Sequence, residues 1–481
     1  MTELSDLEPS ALWEYFDQIT RIPRCSKHEG EIRDYILKVA EEKGLESKQD
    51  SAGNVVIKVP STTGEKAPTT ILQSHMDMVC EKNETVDHDF SKDPLPVRVE
   101  MDWVTADGTS LGADNGIGIA AALAMAENET KHGPLELLFT VDEETGLTGA
   151  SCLVPGFING KTMINLDTEE FGAIYIGCAG GGNSDITLNL EYGPVSQDKC
   201  LQIQVRGLRG GHSGVDINAG RANAIKLLTR VLWDLREKGI EIGVCDIKGG
   251  EMHNVIPREA SAVIAVPEDK VEEVSGSIDA LVPIFKQEYC GETSLEITAE
   301  GATPKRSLTP ESISSVIDLL QALPNGVLCM CQEVPDLVET STNLAAVRTD
   351  ERTLKVLMST RSSIGSALQA VRDTIHAISN GFGAKVREGE TYPGWTPNPD
   401  SKLLEIAKKA YEELFGESPE IAAIHAGLET GIICERFNDM DSISIGPTIE
   451  HPHSPDERVN IPSVQKFWNH LTKTLEALAM R

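Results

Sequence analysis

The sequence predicts an α/β protein: an α/β domain with a mixed sheet flanked by helices, interrupted by an inserted α+β domain built from two ferredoxin-like halves. Three observations carry this expectation. The first 185 residues alternate helix-like and strand-like segments, the mark of a layered α/β fold. From about residue 190 amphipathic strands and helices follow in a repeating order, and after about residue 390 the α/β texture returns. A chain of 481 residues also exceeds one ordinary core and should divide into two or three domains. The expected boundaries are 1–185, 186–389 and 390–481.

In the first part, "EGEIRDYILKVAEEKG" has helical spacing and ends on glycine, while "NVVIKV", "TTILQSH", "LELLFTV" and "TMINLD" read as short strands. Between them "GADNGIGIAAALAMAENE" opens with glycines and becomes a small-residue helix whose apolar run is too short to span a bilayer, so it should be buried. In the middle part "CLQIQVRG", "GRANAIKLLTRVLWDLREKG", "IEIGVCDIKGG", "EASAVIAVP", "EDKVEEVSGSIDALVPIFKQEY" and "TSLEITAE" give βαββαβ. A second set, "PESISSVIDLLQAL", "ETSTNLAAVR", "TLKVLMSTRSS", "ALQAVRDTIHAISNG" and "GAKVREGE", repeats the order with its first strand missing or unrecognised. The turn-rich "TYPGWTPNPDS" closes that block, and the helix "SKLLEIAKKAYEELFG", the strand "SISIG" and the helix "VQKFWNHLTKTLEAL" complete the chain.

Charge narrows the partners. The chain holds 43 Lys and Arg against 75 Asp and Glu, a net charge of -32, which argues against nucleic-acid or anionic-membrane binding. The start, "MTELSDLEPS", lacks the basic-then-apolar pattern of an export signal, and no run approaches the ~20 apolar residues of a membrane span. A cytoplasmic protein is expected. Ten cysteines without a CxxC pair read as reduced core residues, Cys329 and Cys331 among them.

The strand ends carry the chemistry. In "QSHMDMV" His75 and Asp77 are two residues apart and leave an extended strand on the same face. "LELLFTV" runs into Asp142, Glu143 and Glu144, "TMINL" ends on Asp167, and "SISIG" leads into Glu450, His451 and His453. Ligands of open α/β sheets bind beyond the carboxyl ends of the strands, so these groups should meet at one rim. So many acids would resist ionising together without a compensating cation. One or two divalent metals answer that need, and mixed His and carboxylate donors suit Zn²⁺, Co²⁺ or Mn²⁺.

The ordered series "SHMDMV", "GADNGIG", "VDEETGLTGA", "NLDTEE", "RGGHSG", "HNVIP" and "HPHSPDER" resembles the co-catalytic zinc peptidase family that includes carboxypeptidase G2 and peptidase V. "HSPDER", with "YPGWTPNPDS" before it, is similar to the aminoacyl-histidine dipeptidases. The resemblance covers essentially the whole chain. It implies a catalytic domain interrupted by a lid domain, and two metal ions, most readily Zn²⁺, bridged by Asp114. His75 and Asp167 would complete one ion's ligands, and Glu144 and His453 the other's.

Glu143 would be the general base acting on a metal-bridged water, and Asp77 would orient His75 through its second nitrogen. The resemblance further implies that His212 donates to the scissile carbonyl oxygen and that Arg361 clamps the substrate's terminal carboxylate, with Asn254 and the Gly427 backbone as further substrate contacts. His28, His88, His132, His451 and His470 match nothing and should be structural or exposed. The expected activity is metal-dependent hydrolysis of small dipeptides, Xaa-His and other unblocked ones, with an aminoacylase on the same scaffold as the alternative. A homodimer is compatible with this reading. Because the lid is duplicated, His212 and Arg361 could both serve from one chain.

Overall fold

Eight strands form the sheet of the first structural unit, in the order Glu46–Gln49, Val55–Val59, Leu135–Thr140, Thr70–His75, Thr162–Asn165, Asp441–Ser444, Ala173–Cys178, Glu420–Ile424. The coordinates are a computed structural model describing residues 3–64, 67–127, 130–195, 197–304, 306–332, 334–437 and 439–480. The four central strands, Leu135–Thr140 through Asp441–Ser444, run parallel, and antiparallel strands flank them, so the sheet is mixed as expected. Every residue of Thr70–His75 and of Leu135–Thr140 is buried, which is why these strands read as nearly continuous apolar runs. Parallel strands end at one edge, so His75, the Asp142–Glu144 turn and Asp167 emerge together.

The helix Ala113–Met125 is buried along its whole length and packs on Thr70–His75 and on the helix Ser10–Ile19. Its glycines and alanines allow that close approach. A smaller antiparallel sheet, Ile449–Glu450, Arg458–Asn460, Trp103–Ala106 and Val97–Glu100, anchors the segment that carries His453.

The chain divides into two compact units, residues 1–178, 395–423 and 428–481 in one and 179–394 with 424–427 in the other. The second unit's sheet is antiparallel throughout, in the order Glu296–Gly301, Lys199–Arg206, Ala260–Val266, Gly243–Gly249, Val338–Thr349, Thr353–Ser362, Gly180–Asn189, Lys385–Tyr392, with Gly326–Met330 added beside Val338–Thr349. Its helices, Ala224–Glu237, Val271–Glu288, Pro310–Ala322 and Gly365–Gly381, contribute apolar faces to one continuous core.

Numbered in chain order, the four strands of the first βαββαβ set lie across the sheet in the order 4-1-3-2. The second set lacks a strand where the sequence pattern requires one because that strand is Gly180–Asn189, which precedes the whole first set. It pairs between Thr353–Ser362 and Lys385–Tyr392, the place of a first strand.

The cysteines depart from expectation. Cys25 and Cys80 form a disulfide across 55 residues, and Cys152, Cys290 and Cys329 are exposed rather than in the core. A parallel bridge between Cys25 and Met78 brings the bonded pair together, a contact that no local spacing reveals. Cys329 is exposed because its strand is added beside Val338–Thr349, where Leu328, Cys329 and Met330 all face water.

Candidate active site

His75 closes its strand with its ring in the sheet rim. Its Nε2 lies 3.0 Å from Asp114 Oδ1 and 3.2 Å from Asp167 Oδ1, and its Nδ1 faces Asp77 Oδ1 at 3.3 Å. His453 Nε2 lies 3.0 Å from the other Asp114 oxygen, Oδ2, and 3.0 Å from Glu144 Oε2. Asp114 thus stands between two histidines, one oxygen to each. Donor atoms of His75, Glu143 and Glu144 also fall within 4.8 Å of one another, as do those of Asp114, Glu169 and His453.

Local structure holds these groups. Asp142 and His453 both have positive φ, 53° and 59°, sharp turns that re-aim the chain at the rim. Asp77 accepts the backbone N–H groups of Glu143 at 3.0 Å and Glu144 at 3.2 Å and the Ser26 hydroxyl at 2.8 Å, so it fixes the glutamate turn as well as facing His75. Asn115 donates to the Leu166 carbonyl and to Asp167. Asp77, Asp114, Glu143, Glu144, Asp167, His75 and His453 are therefore brought together.

The electrostatics are those of a site built for cations. Burial raises Glu143 well above the usual carboxylate range, with the charges of Asp167, Glu144 and Glu429 adding to it. Burial likewise carries Asp167 up to about 6 and Glu169 up to about 9. Asp77 goes the other way, to about 2, because hydrogen bonds and the charge of His75 outweigh its burial. Hydrogen bonds to Asp114 and Glu144 push His453 up to about 11. Without a metal the imidazoles must hold protons to balance the acids. Glu144 Oε1 is buried with no hydrogen-bond partner among the described residues, an oxygen that a divalent cation would satisfy. The donor set, imidazole and carboxylate without thiolate, fits such ions.

The second unit holds the other candidates. His212 lies in the short strand Gly211–His212, paired with Val255–Ile256. Its Nδ1 accepts the N–H groups of Gly214 at 3.2 Å and Val215 at 3.1 Å, and burial beside Arg361 lowers its pKa to about 4. With Nδ1 accepting these N–H groups, the neutral form of the ring carries its proton on Nε2. Arg361 is buried in the strand Thr353–Ser362 and donates to the Tyr392 hydroxyl at 3.0 Å, leaving Nε without a partner among the described residues. A side chain on Gly214 would meet both His212 and Arg361, so the two are neighbours. Asn254 presents a buried Oδ1 with no hydrogen-bond partner among the described residues, and Gly427 packs so closely on the Tyr392 ring that a Cβ there would lie 2.8 Å from it.

Several residues here escape sequence reasoning. His425 lies buried beside the Arg361 charge, two residues before Gly427, with Nε2 2.7 Å from Ser341 Oγ. Glu169 lies inside the quoted "NLDTEE", and Tyr392 precedes the glycine of "YPGW". Asn115 lies inside "GADNGIG", whereas Ser26 and Arg24 act on the rim from a segment with no pattern of its own. Of the unassigned histidines, His451 is exposed, while His88, His132 and His470 are buried.

Known proteins place the chain. It is 40% identical over 483 residues to the cytosol non-specific dipeptidase of Escherichia coli (strain K12), covering 99% of each chain. The crystal structure of aminoacylhistidine dipeptidase from Vibrio alginolyticus superposes with a TM-score of 0.93 at 40% identity, covering 99% of this chain and 98% of that one. Aminopeptidase PepT from Bacillus cereus shares the fold at a TM-score of 0.57 and 17% identity, with 98% of this chain and 99% of that one covered. Residues 71–477 match the peptidase family M20/M25/M40, and the chain is a member of that family.

Proposed function

We propose that the chain is a cytoplasmic dipeptidase that uses two divalent metal ions, most readily Zn²⁺, to hydrolyse Xaa-His and other unblocked dipeptides. The observation that carries the metal reading is Asp114, whose two carboxylate oxygens each lie 3.0 Å from a different histidine. The substrate reading rests on the activities named for the two relatives that match the chain end to end at 40% identity. We assign His75 and Asp167 to one ion, Glu144 and His453 to the other, and Asp114 to both. When bound, such ions supply Lewis acidity and lower the pKa of water toward neutrality.

The chain's own groups would do the rest. Glu143, a buried carboxyl whose proton affinity burial raises, accepts a proton from the attacking water and delivers it to the leaving amine. Asp77 holds His75 and, through two backbone N–H groups, the turn that carries Glu143. His212, neutral with its proton on Nε2, has the form needed to donate to a developing oxyanion. Arg361 offers a planar fork suited to a terminal carboxylate, with Asn254 and Gly427 as further contacts.

Hydrolysis of a panel comprising β-alanyl-histidine, other dipeptides, tripeptides and N-acetyl amino acids, on metal-replaced protein, tests the reading. Dipeptides should be preferred. Faster cleavage of N-acetyl amino acids would move the assignment to an aminoacylase, and faster cleavage of tripeptides would overturn the dipeptidase reading. The Cys25–Cys80 disulfide is unusual for a cytoplasmic protein, and thiol titration of rapidly quenched cells measures how much of it is formed there.

A further inference from the structure

Glu457 is 2% exposed, and although the Arg24 guanidinium is near enough to feel its charge, its carboxylate oxygens form no side-chain ion pair among the described residues. Both accept backbone N–H groups instead. Oε2 takes those of Leu111 at 2.8 Å and Gly112 at 2.9 Å, and Oε1 takes those of Ala113 at 2.8 Å and Asp114 at 3.3 Å. Four successive amides converge on one side chain because Gly112 turns the chain at φ 66°, just ahead of the helix Ala113–Met125, so that the peptides point inward like the amides of an anion nest.

The position admits glycine alone, since a Cβ would lie 2.5 Å from Arg24 Nη2 and 2.7 Å from Met78 Sδ. Arg24 also holds this peptide run, donating to the carbonyl of Gly112 and to those of Met76 and Asp77. That guanidinium ties the loop bearing Asp114 to the strand end bearing His75 and Asp77. Glu457 is itself fixed, its carbonyl accepting the Thr105 hydroxyl at 2.9 Å.

We propose that Glu457 is the positioning residue that sets Asp114 between the two metal sites, an inference that rests on the dinuclear reading above. Asp114 is the one ligand common to both sites. A residue that fixes its backbone therefore governs both ions together, whereas any other ligand governs one. A carboxylate is required because four converging N–H donors need two oxygens that only accept. A glutamine would turn an NH₂ group toward two of those donors.

The test is Co²⁺ binding to the full-length, metal-stripped chain, followed by calorimetry and by the visible absorption of bound Co²⁺, with dipeptide kinetics at saturating Co²⁺. Glu457→Gln should weaken both binding steps by about 10- to 100-fold, the range for partners that orient metal ligands. It should also change the Co²⁺ spectrum and lower kcat with little change in KM. Glu144→Gln should weaken one step only. Glu457→Asp, which keeps a charged acceptor on a shorter stem, should recover part of the loss.

Wild-type affinity and spectrum in folded Glu457→Gln would overturn the proposal, as would weakening confined to one step. Failure of both Glu457 variants to fold by circular dichroism would also overturn it, since the residue would then serve the fold and not the bridge. Binding of fewer than two Co²⁺ by the wild-type protein would instead defeat the dinuclear reading on which the inference stands.

Discussion

Glu143 and Glu144 are neighbours in sequence and in space, with donor atoms within 4.8 Å of each other and of His75, but they differ in their contacts. Glu144 Oε2 faces His453 at 3.0 Å, whereas Glu143 is a buried carboxyl raised by burial and surrounding acids. If the first is the base and the second a ligand, Glu143→Gln should keep near-normal metal content and lose turnover by ~10²- to 10⁴-fold. Glu144→Gln should lose metal affinity by ~10- to 100-fold, because a neutral amide oxygen replaces a charged donor. Elemental analysis beside steady-state kinetics checks both, and the reverse pattern would exchange the two roles. The candidate ligands were legible because each occupies a strand end or a motif with a characteristic spacing. Arg24 was not, nor was the role of Glu457 inside "HPHSPDER", because both act on backbone groups, and a side chain that serves carbonyls and amides needs no particular neighbour in sequence. The disulfide was illegible for a related reason, as 55 residues separate its cysteines.

Among the elements, the helix Ile461–Ala479 carries His470 into the core, where Nε2 meets the Ala407 carbonyl at 2.8 Å and the ring packs edge-on to Tyr411. Burial lowers this histidine from 6.5 to about 4, outweighing the pull of that carbonyl. The folded state therefore resists a proton that the unfolded chain accepts below pH 6.5. Stability from this group is complete above pH 6.5 and is lost as pH falls toward 4, by an amount on the order of 3 kcal/mol. Urea unfolding at pH 7 and pH 5 should show His470→Gln losing less stability on acidification than the wild type. The dependence should shrink without vanishing, since buried His425, also lowered to about 4, keeps its share. An identical loss in both proteins would show that His470 does not contribute. The helices and central strands followed from period and burial. The duplicated unit was only partly legible, because periodicity finds a strand without saying which sheet neighbour it will choose. Gly180–Asn189 stands before one repeat and serves the other.

Over the whole molecule, the net charge of -32 opposes compaction at low ionic strength, and the metal site concentrates part of that opposition in one buried place. Chelation should abolish activity and lower Tm, because each ion that binds only the folded state contributes about 2.7 kcal/mol at a hundred times its Kd. Salt separates the two contributions. Diffuse surface repulsion acts over many ångströms and is screened as the Debye length shrinks from ~10 Å at 0.1 M to ~3 Å at 1 M. The donors around Asp114 lie 3.0 to 3.2 Å apart, and all but the half-exposed His453 are largely buried, so salt screens them far less than it screens surface charges. Thermal melts of metal-free protein should therefore rise with NaCl in parallel with those of loaded protein, leaving the gap between the two curves nearly constant. Zn²⁺, Co²⁺ or Mn²⁺ should close that gap at any salt concentration. If 1 M NaCl alone brought the metal-free Tm up to the loaded value, the loss on chelation would belong to the surface charge, and the clustered acids would not form a cation site.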